Sequence, residues 1–281
     1  MKIGIVGNGF VGRATASLAC GNIQSIIYDK KSELCSPIGT KLAEVVACDL
    51  VFICVPTPMN EDGSCHANIV ESVVEDLCDA GCPKYKIIIR STVPVGTCKR
   101  LGVMFMPEFL TEKNWQEDTR QLRDWVIGFD SRASRDSASI IYDILQNAHI
   151  YSIIKSKPTL KYCKSASAEL SKYGRNSFLA TKVSFFCELK EFCDRNELDF
   201  EESRGLICLD KRIGESHSIV PGPDGKMGYG GTCFPKDISS LLDQMIQCGQ
   251  ESYIIEAAKA RNIQVDRPEK DWEADKGRAV T

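Results

Sequence analysis

The stretch GYGGTCFPKD, residues 228–237, sets one cysteine between a glycine-rich turn and a Pro-Lys-Asp triplet. Such a turn leaves room for a substrate against the backbone and can aim N–H groups at an oxyanion. Lys236 brings positive charge near the Cys233 thiol and favours thiolate, and Asp237 adds a carboxylate able to handle protons. Paired with a hydride acceptor, a thiolate suits oxidation through a covalent thiohemiacetal and thioester. A plainer reading stands beside it. The chain carries 14 cysteines, and most cysteines of a reduced protein are small hydrophobes of the core. The 3 histidines lie far apart in sequence and no C-x-x-C pair occurs, so no metal site is expected.

A hydride acceptor has a place to sit. Gly7-Asn8-Gly9-Phe10-Val11-Gly12 follows the apolar run KIGIV and opens a helical stretch. Glycine permits the tight turn and lets a pyrophosphate approach the backbone, while the helix N-terminus offers unpaired N–H groups. Asp29 ends the second apolar run, where an acid hydrogen-bonds a ribose hydroxyl and disfavours a 2′-phosphate. The pattern predicts NAD rather than NADP.

Three further runs end in polar or Pro-containing segments: Val55-Pro56-Thr57-Pro58, Ser91-Thr92-Val93-Pro94 and Pro107-Glu108-Phe109-Leu110. The carboxyl ends of strands line the ligand crevice of an open α/β sheet. Thr57 and Thr92 serve equally well as strand stops or caps. Glu108 is more telling, because a carboxylate straight after an apolar strand must face a polar crevice or solvent. Downstream, Glu169, Lys172 and Asn176 share one face of a helix, a pattern that in isolation reads as a solvated stripe.

The elements that position these residues fall into two patterns. From 2 to about 155, the apolar runs KIGIVG, SIIYD, LVFICVP, KIIIRST, GVMFMPE and WVIGF alternate with helical stretches, and HIYSII (149–154) reads as a seventh strand. Continuous apolar runs mean strands covered on both faces, hence a parallel, doubly wound α/β sheet of the Rossmann-like kind. From about 159 to 199, Leu179, Val183, Phe186 and Cys193 recur at helical spacing in one long helix, and a second helix is expected from Ser239 to about Asn262. The predicted organisation is a Rossmann-like NAD-binding domain at 1–157, an all-helical substrate and dimerisation domain with a long central helix at 158–264, and a charged tail at 265–281.

Composition sets outer bounds. Of 281 residues, 43% are hydrophobic and 26% charged, with a formal net charge of -3, so nothing drives the chain toward nucleic acid or an anionic membrane. No apolar run reaches the length of a bilayer span. Glycines interrupt the N-terminal run where a secretion signal needs a continuous apolar core, so a reducing cytoplasmic setting is expected.

In order along the chain, GNGFVG, VPTP, STVPVGT, PEFLTE, ELSKYGRNSFLATKVSF, DKRIG and GYGGTCFPKD resemble the UDP-glucose/GDP-mannose dehydrogenase family. PEFL and CFPKD are most similar to its UDP-glucose branch. The resemblance implies oxidation of UDP-glucose by two NAD and water to UDP-glucuronate, with Cys233 as nucleophile. It implies that Lys172 and Asn176 steady an oxyanion, that Asp237 and Thr92 organise the catalytic water, and that Glu108 assists thioester hydrolysis. Cofactor contacts would be Gly7, Gly9, Val11, Gly12, Asp29, Thr57, Thr92, Glu112 and Lys236. Substrate contacts would be Phe109, Leu110, Lys172, Asn176 and Gly230, with Arg212 reaching the sugar nucleotide of a second copy in a homodimer. Family members usually continue into a second α/β domain, for which this sequence has no pattern. PGPDGKM makes the loop before GYGG long, and Cys187 replaces a common asparagine and is expected to be structural. Two other readings stay open: action on another sugar nucleotide, such as UDP-N-acetylmannosamine or GDP-mannose, and a catalytically weak NAD-binding protein.

Overall fold

A computed structural model describes residues 1–281. The chain forms two compact units, Met1–Thr57 with Ala67–Lys172, and Pro58–His66 with Tyr173–Thr281.

In the first unit, strands and helices alternate: β1 (Lys2–Val6), α1 (Phe10–Ser17), β2 (Gln24–Tyr28), α2 (Leu42–Val46), β3 (Leu50–Ile53), α3 (Asn68–Asp79) and β4 (Ile87–Ile89). They continue as α4 (Thr97–Leu101), β5 (Met104–Phe105), α5 (Trp115–Gln121), β6 (Asp124–Gly128), α6 (Arg132–Ile150) and β7 (Thr159–Cys163). The seven strands form one sheet in the order β2-β1-β3-β4-β5-β6-β7. Alternate residues of each strand feed opposite cores, which is why the runs are apolar throughout. Ile3, Ile5, Leu50, Phe52 and Ile88 pack with Ala138, Ile141 and Leu145 of α6. Val6, Val51, Ile53, Ile87 and Ile89 pack with Val70, Val73, Val74 and Leu77 of α3.

Two expectations for this sheet need correction. HIYSII is not a strand: His149 and Ile150 complete α6, and Ile154 is buried from a loop. The last strand is instead β7, whose Lys161 and Tyr162 are exposed, so its edge position left it without a continuous apolar run. The sheet is also not wholly parallel. β5 meets β6 antiparallel at Phe105 and Gly128, while β6 and β7 are parallel; doubly wound sheets commonly carry such an exception toward an edge.

The expected long helix is α7 (Ser165–Arg195), 31 residues. Val183, Phe186 and Cys193 of α7 pack with Phe200 and Cys208 of α8 (Phe200–Cys208), Ile238 of α9 (Phe234–Gln247) and Ala258 of α10 (Tyr253–Arg261). The single helix expected over 239–262 is two, because Gly249 at φ 79° ends α9. The residues expected as a charged tail are packed. Arg267, Trp272 and Ala279 are buried, and the N–H of Met59 donates to Ala279 O at 2.9 Å while that of Thr281 donates to Met59 O at 3.0 Å. No helix is long and apolar enough to cross a membrane.

Candidate active site

The turn after β1 is shaped by what glycine leaves out. A β-carbon on Gly12 would lie 2.0 Å from Gly7 O, and one on Gly7 would lie 2.6 Å from Cys54 O, so both glycines are required by the backbone itself. A β-carbon on Gly9 would meet nothing within 4 Å. Gly9 is also the N-cap of α1, which has no side-chain cap and no acid in its first turn. Its first N–H groups are therefore available to an anion. Asp29 borders this space: its carboxylate accepts the N–H of Asn8 at 2.9 Å and that of Lys31 at 3.0 Å. Val11 is half-buried and Thr57 is buried. An open glycine, an uncapped helix start and a bordering acid fit a dinucleotide.

The strand ends of the same unit hold a buried ion pair. Lys172 Nζ donates to Glu108 Oε1 at 2.7 Å and to Glu108 O at 2.9 Å, and the Leu110 N–H donates to Oε2 at 2.7 Å. Burial alone would raise the Glu108 pKa. The Lys172 ammonium, helped by the Leu110 N–H and the Arg90 charge, outweighs burial and holds it below the usual carboxylate range. Glu108 is thus an ionised acceptor at neutral pH. The Phe109 ring centroid lies 5.9 Å from Lys172 Nζ. Thr92 and Leu110 are buried and Glu112 is exposed.

The helix face carrying Lys172 is not the solvated stripe that spacing suggested, since Glu169, Lys172 and Asn176 are all buried. Glu169 serves the backbone, accepting the Gly96 N–H at 2.6 Å and the Cys98 N–H at 2.7 Å at the start of α4. Sequence reasoning passed over Arg90, which is buried and donates to Thr15 Oγ1 at 2.8 Å. The signal that marked Glu108, a charge straight after an apolar strand, marks Arg90 too.

In the second unit Cys233 is the N-cap of α9 and half-buried, its sulfur 3.7 Å from Thr232 Oγ1. Asp237, in the first turn, is buried with both oxygens engaged: Lys236 Nζ donates to Oδ1 at 2.5 Å and Asn176 Nδ2 to Oδ2 at 2.5 Å. Burial alone would lower the Lys236 pKa, but Asp237, with the Cys233 and Cys65 thiols nearby, raises it. Other thiols differ in their surroundings. Burial pushes Cys48, Cys54 and Cys187 up to about 11 and Cys98 well above its ordinary value, as befits core filler. Cys187 accepts the Gly228 N–H at 3.3 Å. Arg212 has a side chain 90% exposed, forked onto Asp210. At Gly230, which is half-buried, a β-carbon would lie 1.8 Å from Arg267 Nη1, so Arg267 packs against the side where a side chain would stand.

A doubly wound, mostly parallel sheet with a glycine cradle after β1 makes the first unit a Rossmann-like domain whose cradle fits a dinucleotide. Comparison with known proteins narrows that class. The profile of the UDP-glucose/GDP-mannose dehydrogenase family NAD binding domain matches residues 37–146, and the central domain of the same family matches residues 166–264. UDP-glucose 6-dehydrogenase of Pseudomonas aeruginosa is 33% identical over 258 residues, 85% of this chain and 54% of that protein. The chain spans about half the length of the curated relatives it matches. Among solved structures, a UDP-glucose dehydrogenase from Pyrobaculum islandicum superposes with a TM-score of 0.77 at 26% identity, over 93% of this chain and 67% of that one. A UDP-D-ManNAc dehydrogenase from Pyrococcus horikoshii superposes with a TM-score of 0.74 over 93% of this chain and 68% of that one; at 19% identity the likeness is one of fold. The chain belongs to the UDP-glucose/GDP-mannose dehydrogenase family, and its cofactor is NAD. The glycine cradle precedes the matched span and stands on its own geometry.

Proposed function

We propose that this chain oxidises the primary alcohol of a UDP-sugar, UDP-glucose first among them, to the carboxylate, with Cys233 as nucleophile. The observation that carries the reading is a half-buried thiol at the N-cap of α9, with Lys236 and Asp237 in the next turn. A helix start and a nearby ammonium are surroundings that favour thiolate.

NAD, when bound, supplies the hydride acceptor for both two-electron oxidations. Gly7, Gly9, Val11, Gly12, Asp29, Thr57, Thr92 and Glu112 would hold it, and Asp29 would repel the extra phosphate of NADP. Once the alcohol has become an aldehyde, Cys233 Sγ forms a bond to the carbonyl carbon and the oxygen takes the negative charge. Lys172 and Asn176 are the donors proposed to steady that charge. Loss of a second hydride leaves a thioester. Water, held by Thr92 and Asp237, then adds to it; the C–S bond breaks, Cys233 leaves as thiolate and the acid is released. Glu108, kept ionised by Lys172, is in the form that accepts a proton from the water. Tethering also keeps the aldehyde from escaping.

A homodimer is part of this reading. Phe178, Phe185 and Phe192, one heptad apart on α7, are 67%, 56% and 55% exposed, and such a stripe suits a second copy of the helix.

The test is NADH formation from purified protein with NAD and UDP-glucose, against UDP-N-acetylmannosamine and GDP-mannose. Two NADH per sugar is the expected stoichiometry for the preferred substrate. NAD binding without NADH from any of the three would overturn the enzymatic reading, and unchanged complete turnover in Cys233→Ser would overturn the covalent route.

A further inference from the structure

The backbone leading to Cys233 has no strand partner, yet side chains do a strand's work. Asn262 faces Tyr229 with both ends of its amide: Oδ1 accepts the Tyr229 N–H at 2.8 Å and Nδ2 donates to Tyr229 O at 3.0 Å. Asn262 is 1% exposed and opens a π-helical turn, Asn262–Asp266. Across that turn the Arg267 N–H donates to Asn262 O at 2.7 Å. The Arg267 guanidinium, 2% exposed, then donates from Nε to Met227 O at 3.2 Å and from Nη2 to Asp224. The glycine pattern answers to these two side chains. A β-carbon on Gly228 would lie 2.3 Å from Asn262 Oδ1, and one on Gly230 would lie 1.8 Å from Arg267 Nη1.

We propose that Asn262 and Arg267 are positioning residues for the thiol of Cys233. The carbonyl side of Cys233 is already fixed, because its oxygen accepts the Asp237 N–H at 2.9 Å within α9. On the amide side, Gly231, at φ 72°, and Thr232 link Cys233 to the clasped Met227–Gly230 backbone. An anchored backbone on each side holds the Cα–Cβ bond of the N-cap residue in one direction, from which its sulfur is aimed. The link to catalysis rests on the proposed role of Cys233; the aim of the sulfur can be tested without it.

The test variant is Asn262→Asp, which keeps an acceptor for the Tyr229 N–H but turns a carboxylate oxygen toward Tyr229 O. Alkylation of Cys233 by iodoacetamide, followed by peptide mapping across pH, is expected to slow roughly threefold or more while circular dichroism and NAD affinity stay unchanged. In the sugar reaction, kcat is expected to fall roughly tenfold. NADH per sugar should drop from two toward one, with free aldehyde trapped by hydroxylamine. A clasp that served folding alone would lower the active fraction and leave both the alkylation rate of folded protein and the two-to-one ratio untouched; that result overturns the proposal. Asp224→Asn removes one of the two carboxylates that meet Arg267, leaving Asp271 at 3.7 Å from Nη1, and is the milder second variant should Asn262→Asp not fold, with the same shifts expected at smaller size. Wild-type protein that forms no NADH would defeat the proposed function, and alkylation would still decide whether the clasp aims the thiol.

Discussion

Each unit buries one lysine–carboxylate pair, and the two are built differently. Lys172 and Glu108 meet across 64 residues of chain at 2.7 Å, with side chains 4% and 6% exposed. Lys236 and Asp237 are sequence neighbours at 2.5 Å, 13% and 1% exposed. The first pair joins α7 to the end of β5, and its carboxylate is completed by a backbone N–H. The second links sequence neighbours in the first turn of α9, and its carboxylate is completed by a side chain, Asn176. Both pairs belong to the proposed site, and they differ in how much of the chain must fold before they can meet.

The largest expected effect breaks the long-range pair. Lys172→Ala leaves a buried carboxylate without its cation, a loss of about 3–5 kcal/mol, or roughly 10 °C in Tm by calorimetry. The sign with pH is the sharper check. In the wild type the depressed Glu108 pKa gives stability that is present above its unfolded value, about 4.3, and is lost as pH falls through the folded value. Without Lys172 burial dominates and the pKa moves up. The variant should then regain stability as pH falls toward that unfolded value from above, whereas the wild type loses stability only as pH falls below it. Equal losses at pH 4 and pH 7 would show that the pair is not what holds α7 to the strand end.

The next effect contrasts the glycines of the two units. Gly230→Ala drives a β-carbon into Arg267 and should cost about 1–3 kcal/mol, read as a Tm lowered by roughly 5 °C. Gly9→Ala meets nothing within 4 Å, so its Tm should match the wild type while NAD affinity, by titration calorimetry, weakens roughly tenfold. The first unit keeps its glycine space for a ligand, and the second fills its own. A thermally destabilised Gly9→Ala, or an indifferent Gly230→Ala, would erase that distinction.

How far these features were legible follows from the range of the interactions behind them. The cradle, Asp29 and strands β1 to β4 rest on local turns and on runs apolar because both faces are covered, so the sequence displays them. HIYSII misled because its apolar residues belong partly to the end of α6, whose period is set by Ala138, Ile141, Leu145 and Ala148. β7 was hidden because an edge strand can expose Lys161 and Tyr162. Cys233, Lys236 and Asp237 stand within five residues and were visible together. The clasp was not: Asn262 and Tyr229 are 33 residues apart, and nothing periodic links them. Glu169 was seen on the right face but without a role, since its partners at Gly96 and Cys98 lie 73 and 71 residues away.

The smallest expected effect on stability is at Arg212, and it separates folding from assembly. Its guanidinium forks onto Asp210 with the side chain 90% exposed, and exposed pairs contribute little. Arg212→Ala should leave Tm unchanged. In the proposed homodimer its role is to reach the sugar nucleotide of the other copy, so its loss should be repairable by a partner that keeps it. When Arg212→Ala and Cys233→Ser proteins, each inactive alone, are unfolded together and refolded, mixed dimers contain one site with an intact thiol and an arginine from the other copy. Activity should return to about a quarter of wild type, because about half of the dimers are mixed and one of their two sites is whole. If Arg212 served its own subunit, neither site of a mixed dimer would be complete and the mixture would stay inactive.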